Sequence, residues 1–438
     1  MGADASNIPI ERAETVFEDF KPPFTQAQAL AEANRCLFCA DAPCVTACPT
    51  GIEVPQFIRK IATGNLRGSA KTIFEANILG MSCARVCPVE VLCVGACVHD
   101  RQGVPPIQIG KLQRFATDHA FEQGWRFFEA GADTGKSVAL VGAGPASLAC
   151  AHELRRHGHR CTIYEKRDVV GGLNTTGVAP YKMKAERSDE EARWVLGIGG
   201  IEVRTGVAIG DALGWADLQR EHDAIFIGVG LGPDSVLGVP GEDLPGVHGA
   251  VSAIERIKLG HFDVAMVRRA VVVGGGNTAI DAVRELIGLG VPEVTMLYRG
   301  AEEQMSGYAH EWAAAKVEGA RAQWRVQPLA FAGAERVERV RCARLGADKR
   351  PIAGEELEVA ADLVLVAIGQ GKLAALVAGL EGVRTDRGRI VVDAEQATGL
   401  AGVFAGGDCA NGGKEVVNAA AEGKAAARTM HRYLMGER

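Results

Sequence analysis

The segment SVALVGAGPAS, Ser137 to Ser147, decides the fold. Its first half is a short apolar run of strand length, and its second half is a glycine-rich turn opening a helix. Gly142 permits a tight turn, and Gly144 lets the backbone approach a pyrophosphate at the helix N-terminus. Pro145 and Ala146 complete that turn. Ser147 stands where glycine or alanine is usual, and it is small enough for close packing. A second apolar run, Cys161–Tyr164, ends on Glu165, 21 residues after Gly144, with Lys166 following. An acid there is placed to accept hydrogen bonds from ribose hydroxyls. Strand, turn, helix, strand and acid in register read as one dinucleotide-binding unit.

Downstream the same plan recurs. Ala270–Arg299 reads strand, the turn Gly274-Gly275-Gly276-Asn277-Thr278-Ala279, helix and strand. This unit closes on Arg299 and not on an acid. An arginine there can pair with a 2′-phosphate, but Gly300 follows where a second basic residue would strengthen that reading, so NADH and NADPH both stay open. Two such units imply two nucleotide domains and α/β architecture. Asp223–Gly230 and Asp362–Gly369 read as the strands at the crossings between them. Gly402 to Arg438 reads as a further strand, a Gly406-Gly407-Asp408 turn and a long helix.

Upstream the composition changes. Residues 25–130 read as helical, with strand signals nearly absent. Thr25 with Gln28 forms a possible capping box. Pro55 suits the first turn of a helix running to Ala62, and further helical patterns cover Leu66–Leu79 and Ile109–Gln123. Glu129–Lys136 reads as a linker. Eight of the 12 cysteines fall in this region. They stand as Cys36-x2-Cys39-x4-Cys44-x3-Cys48-Pro49 and Cys83-x3-Cys87-Pro88-x4-Cys93-x3-Cys97. Thiolates at such spacing, with proline after the last cysteine of a run, are typical of ferredoxin-like segments, and eight would suit two 4Fe–4S clusters. Two four-cysteine zinc sites are the alternative, although zinc ribbons usually sit on β-hairpins. Cys150, Cys161, Cys342 and Cys409 read as ordinary buried residues.

The net charge is −6, with no basic run of five or more. That argues against a nucleic-acid or anionic-membrane surface. No apolar stretch is long enough to span a bilayer, and the N-terminus lacks signal-peptide character, so the cytoplasm is the expected location.

From about Ala29 to about Tyr433 the chain resembles the glutamate synthase small-subunit family, which includes the N-terminal half of dihydropyrimidine dehydrogenase. The stretches Gly80–Gly95, Pro106–Phe115 and Gly171-Gly-Leu-Asn-Thr-Thr-Gly177 lean towards its bacterial NAD-dependent pyrimidine branch. The fold class that follows is α/β with an N-terminal all-α iron–sulfur domain and two Rossmann-like domains. The implied domains are 1–135 for the clusters, 136–240 with 370–438 for FAD, and 241–369 for NAD(P)H. The resemblance implies that FAD is held by Gly142, Gly144, Pro145, Ala146, Glu165, Lys166, Gly172, Leu173, Asn174, Gly407 and Asp408. It implies NAD(P)H at Gly274, Gly276, Asn277, Thr278 and Arg299. It also implies clusters that share ligands across the two cysteine sets: Cys36, Cys39, Cys44 and Cys97 for one, and Cys48, Cys87, Cys93 and the oxygen of Gln113 for the other. Glutamate synthase relatives tend to carry glutamate at the last position. Cys83 would then be no ligand, in conflict with its spacing.

The implied activity is electron input. NAD(P)H gives hydride to FAD, and electrons leave singly through the clusters to a partner FMN subunit that reduces uracil or thymine. The alternative is the small subunit of glutamate synthase or a related ferredoxin-type reductase. No side-chain acid or base is expected, because the cofactors carry the chemistry. A disulfide reductase would need a redox-active Cys-x-x-Cys in a nucleotide domain, and Cys36–Cys39 lies outside both.

Overall fold

The computed structural model describes residues 7–210 and 213–437; residues 1–6, 211–212 and 438 lie outside the described residues. The N-terminal part, before residue 137, is helical, and among the described residues it contains no strand. Its helices are α1 (Gln26–Ala33), α2 (Pro43–Thr46), α3 (Val54–Ala62), α4 (Leu66–Ala76), α5 (Gly80–Val86), α6 (Val98–Arg101) and α7 (Ile109–Glu122). Thr25 and Gln28 form the expected capping box on α1. The helix expected over 66–79 is α4, which stops short at Ala76. Asn77 turns extended (φ −138°), and its side chain accepts the Leu79 N–H at 3.0 Å, so α4 ends and α5 starts in a new direction. The core of this helical part includes Phe57, Ile58, Ile73, Ile107 and Leu112, with Cys36, Cys44, Cys48 and Cys93 packed against it.

The next unit starts with β1 (Ser137–Val141), α8 (Pro145–Arg156), β2 (Arg160–Tyr164), α9 (Leu173–Thr176), α10 (Ala185–Leu196), β3 (Ile201–Arg204), α11 (Trp215–Glu221) and β4 (Ala224–Ile227). The chain then leaves for a second unit: β5 (Val247–Gly249), α12 (Ala250–Leu259), β6 (Arg269–Val273), α13 (Asn277–Gly288), β7 (Glu293–Tyr298), α14 (Ala309–Val317) and β8 (Arg321–Trp324). An antiparallel layer, β9 (Val326–Ala332), β10 (Arg339–Leu345) and β11 (Pro351–Ala360), precedes β12 (Leu363–Val366). The return comprises α15 (Ala374–Val377), the hairpin β13 (Thr385–Asp386) and β14 (Arg389–Ile390), then β15 (Val403–Ala405), α16 (Asp408–Asn411) and α17 (Val416–Met435).

Two parallel five-stranded sheets result, in the orders β15-β4-β1-β2-β3 and β5-β12-β6-β7-β8. After their first residues, Ser137 and Arg269, the central strands β1 and β6 are apolar runs, as expected of strands covered on both faces. The strands expected at the crossings, β4 and β12, are themselves members of the two sheets. The crossings beyond them run side by side, with Gly232 N–H donating to Gly371 O at 2.9 Å and Gly371 N–H to Pro233 O at 2.7 Å. Among the described residues no helix is long and apolar enough to cross a membrane.

Two features join the parts. Phe74, Ile78 and Leu79 of the helical half share one core with α8, β1 and α17. The N-terminal segment lies across the second sheet unit, where Phe17 joins its core and Glu14 is buried against Lys258.

Candidate functional site

A cleft between the two sheet units runs along the C-terminal ends of β1, β2 and β4, the place where open α/β sheets take ligands. It is lined by all eleven residues that the sequence reading marked for FAD, from Gly142 to Asp408. The local geometry explains the glycines. Gly142 has φ +92°, and a Cβ there would lie 2.6 Å from Gly228 O. A Cβ on Gly172, φ +55°, would meet Gly144 Cα at 2.8 Å, so the second glycine pair seats directly on the first turn. Gly171 N–H donates to Ala143 O at 2.9 Å and fixes that seat. A Cβ on Gly144 would meet nothing closer than 3.9 Å, which leaves open space at the N-terminus of α8.

Glu165 accepts the Ala143 N–H at 2.8 Å and the Arg167 N–H at 2.9 Å, which locks the carboxylate at the rim of the first turn. Asn174 is buried in the cleft wall, and its Oδ1 has no partner. Gly407, φ +77°, donates its N–H to Glu422 at 2.7 Å. Burial holds the Asp408 carboxyl above its usual range, although it accepts the Lys414 N–H at 3.1 Å. An orphaned acceptor, an open helix N-terminus and glycine-walled space are what a long, hydroxyl-bearing dinucleotide requires, so these residues fit FAD.

The sequence reading missed the far wall. Lys182 lies between Asp281 at 2.9 Å and Glu311 at 2.7 Å, which joins the two sheet units across the cleft. Burial pulls the Lys182 ammonium down, but the two carboxylates outweigh it and hold it above its ordinary range. Tyr308 donates to Glu415 at 2.7 Å, and burial pushes both groups up. These residues carry no motif; only the fold brings them together. Val86 and Pro88, the neighbours of Cys87, line the same cleft.

The second nucleotide turn lies on the other unit. Gly274, φ +147°, would drive a Cβ within 2.3 Å of Ala367 O, and Gly276 caps α13. Asn277 reaches the cleft and accepts the Tyr308 N–H at 2.9 Å. Thr278 follows on the first turn of α13, half-buried. Arg299 is exposed just beyond β7.

In the helical half Cys36, Cys39, Cys44 and Cys97 line one cavity between α2, α3 and the start of α6. Burial, then Cys36 and Cys97, pushes the Cys44 thiol up to about 12. A second group forms on Cys48, Cys87 and Cys93. Burial, then Cys48 and Cys44, pushes Cys93 up to about 12, while a hydrogen bond with Cys83, followed by burial, raises Cys87 well above its usual value. Crowded, buried thiols repel one another as thiolates, and bound iron relieves that repulsion; the donor set fits an iron–sulfur group. Among the described residues no three Cys, His, Asp or Glu groups close on one point as for a single ion. Gln113, on α7, is buried, and its amide nitrogen donates to Gly80 O at 2.7 Å. The four scattered cysteines are buried, as expected. Cys409 gives its thiol to Ile227 O at 3.3 Å and Gly406 O at 3.4 Å.

Comparison with known proteins agrees with this architecture. Residues 12–125 match the family model described as dihydropyrimidine dehydrogenase domain II, 4Fe-4S cluster, and residues 136–423 match pyridine nucleotide-disulphide oxidoreductase. The chain is 34% identical to the glutamate synthase [NADPH] small chain of Halomonas elongata, over 98% of this chain and 96% of that one. It is also 34% identical to the NAD-dependent dihydropyrimidine dehydrogenase subunit PreT of Escherichia coli, over 97% and 98%. Among solved structures, thioredoxin reductase of T. acidophilum superposes with TM-score 0.55 at 22% identity, over 68% of this chain and 99% of that one. FprA of Mycobacterium tuberculosis in complex with NADPH gives 0.56 at 20%, over 69% and 85%, and both show the fold. With relatives matched nearly end to end, the chain belongs to the pyridine nucleotide-disulphide oxidoreductase family, in the group of glutamate synthase small chains and dihydropyrimidine dehydrogenase subunits, and is an NAD(P)H-dependent FAD and 4Fe–4S oxidoreductase.

Proposed function

We propose that this chain is the electron-input subunit of a dihydropyrimidine dehydrogenase. It would take electrons from NAD(P)H and pass them to a partner FMN subunit that reduces uracil or thymine. The observation that carries the reading is the shared wall: Val86 and Pro88, flanking a proposed iron ligand, line the same cleft as the nucleotide glycines.

In this reading the FAD unit comprises 136–240 and 370–438, the NAD(P)H unit 241–369, and the helical unit 1–135. Bound FAD supplies exchange between two-electron and one-electron chemistry. The chain supplies position. Gly142 and Gly144 offer backbone at the N-terminus of α8 to the pyrophosphate. Pro145 and Ala146 shape that turn, Glu165 and Lys166 border the ribose, and Gly172, Leu173 and Asn174 close the opposite side. Gly407 and Asp408 receive the ribityl end, while Gly274, Gly276, Asn277 and Thr278 receive the nicotinamide nucleotide. Cys36, Cys39, Cys44 and Cys97 would hold one cluster; Cys48, Cys87, Cys93 and Gln113 would hold the other.

Gln113 favours the pyrimidine branch. Its amide donates to Gly80 O, and a glutamate there would set two acceptors face to face. An anaerobic pull-down of the tagged chain, with mass spectrometry of what co-purifies, tests the reading. A subunit with an FMN barrel, and NADH- or NADPH-driven uracil reduction by the complex, are expected. A large amidotransferase-bearing chain in its place would make the protein a glutamate synthase small subunit.

A further inference from the structure

Arg299, at the end of β7, has an unpaired neighbour. The β7–β8 ladder pairs Tyr298 with Trp324, and it runs one step further, with Arg325 N–H donating to Gly300 O at 3.0 Å. Arg299 and Arg325 therefore stand side by side where the second nucleotide unit presents its ribose-binding edge. Both are exposed, and neither has an acidic partner among the described residues. The turn that receives the pyrophosphate abuts the same edge, since a Cβ on Gly275 would lie 2.4 Å from the Tyr298 ring.

Arg325 has φ +55°, a left-handed conformation that a side chain makes costly and that glycine adopts freely. Its backbone is held at both ends, because its carbonyl also accepts the Leu345 N–H at 2.7 Å. A strained residue kept at the rim of a binding site points to use of its side chain. A second basic residue at position 300 would have to displace its neighbours, because a Cβ there would lie 2.7 Å from the Tyr298 ring and 2.9 Å from the Gln304 side chain. The adjacent strand carries one in its place.

We propose that Arg299 and Arg325 together clamp the 2′-phosphate of NADPH, so that this chain takes NADPH in preference to NADH. The proposal rests on the reading of Gly274–Thr278 as the nicotinamide-nucleotide site. Two planar guanidinium forks on one phosphate give charge-assisted hydrogen bonds that NADH, with a ribose hydroxyl there, does not form.

Anaerobic bleaching of the bound flavin by NADPH and by NADH tests this on the intact, cofactor-loaded chain. Wild type is expected to favour NADPH in kcat/KM. Arg325→Ala and Arg299→Ala should each lower the NADPH-to-NADH selectivity about ten- to hundredfold, as loss of hydrogen bonds to a charged group does. Arg325→Lys should restore part of it. Arg321→Ala, which removes a side chain paired with Glu293 at 3.4 Å at the other end of β8, should leave selectivity unchanged. Bleaching by NADH with no NADPH preference, or equal loss for both nucleotides in Arg325→Ala, would overturn the clamp and leave the nucleotide cleft standing. No bleaching by either nucleotide would overturn the cleft reading and the clamp with it.

Discussion

Gln113 and Cys83 are the two candidates for the last ligand of the proposed second cluster. Cys83 and Cys87, both free thiols, share a hydrogen bond, while Gln113 donates to Gly80 one helical turn earlier. That bond engages the amide nitrogen and leaves the oxygen of Gln113 for the proposed iron contact. Gln113→Ala should alter the EPR signal of one cluster and spare the other, and Cys83→Ala should leave both signals intact. The reverse pattern would make Cys83 the ligand and Gln113 a packing residue. The same contrast marks how far single residues could be read in advance. Gly142 and Gly172 were legible because their demand is local: φ of +92° and +55°, with backbone pressed against them. Lys182, Asp281 and Glu311 were not, because an ion pair across about a hundred residues leaves no trace in spacing.

The short helix α5 shows what an element gains from distant support. Its first N–H groups have no partner within the helix, and Glu191 of α10 accepts them, taking Met81 N–H at 2.8 Å, Ser82 N–H at 3.1 Å and the Ser82 hydroxyl. Burial outweighs these donors and raises the Glu191 carboxyl to about 7. In the unfolded chain it titrates near its ordinary value of 4.5. The unfolded chain therefore loses its proton first, and stability contributed by the protonated carboxyl is full below that value and lost as pH rises towards 7. Glu191→Gln should flatten the fall in melting temperature across that window, and an unchanged slope would assign it to another group. On α17 the crossing with α8 is set by Gly423, where a Cβ would lie 2.0 Å from Ala146 O. Gly423→Ala should cost about 1–3 kcal/mol in thermal or denaturant unfolding, and because Ala146 lines the first nucleotide turn, the purified variant should retain less FAD. Helix positions were largely visible in apolar periodicity. The break at Asn77 was not, because it depends on how α5 packs and not on a local stop signal.

At the scale of the molecule, the N-terminal segment works as a clasp. Glu14 is fully buried, takes Arg12 at 2.9 Å and Lys258 at 3.5 Å, and accepts the Ala185 N–H at 3.0 Å, so it touches both sheet units. Asp19, a few residues on, pairs with Arg114 of the helical half at 2.6 Å. Glu14→Ala would leave Lys258, 0% exposed, without its carboxylate. Losing one partner of such a pair costs about 3–5 kcal/mol, so calorimetry should record a clear drop in melting temperature, and protease should cut sooner between the sheet units. A variant as stable as wild type would show that the clasp carries no load. Nothing in Arg12 to Phe17 announces this role, since charged residues near a terminus usually face water. The wall formed by Val86 and Pro88 has a separate consequence. The helical half is not a module hung on a finished reductase; it closes one side of the reductase's own pocket. Cut away, it would leave a reduced flavin open to dissolved oxygen, and reducing power would drain into peroxide. The joint between the halves is thus a gasket, and a hybrid built by swapping one half for a foreign ferredoxin would leak until that seam was refitted.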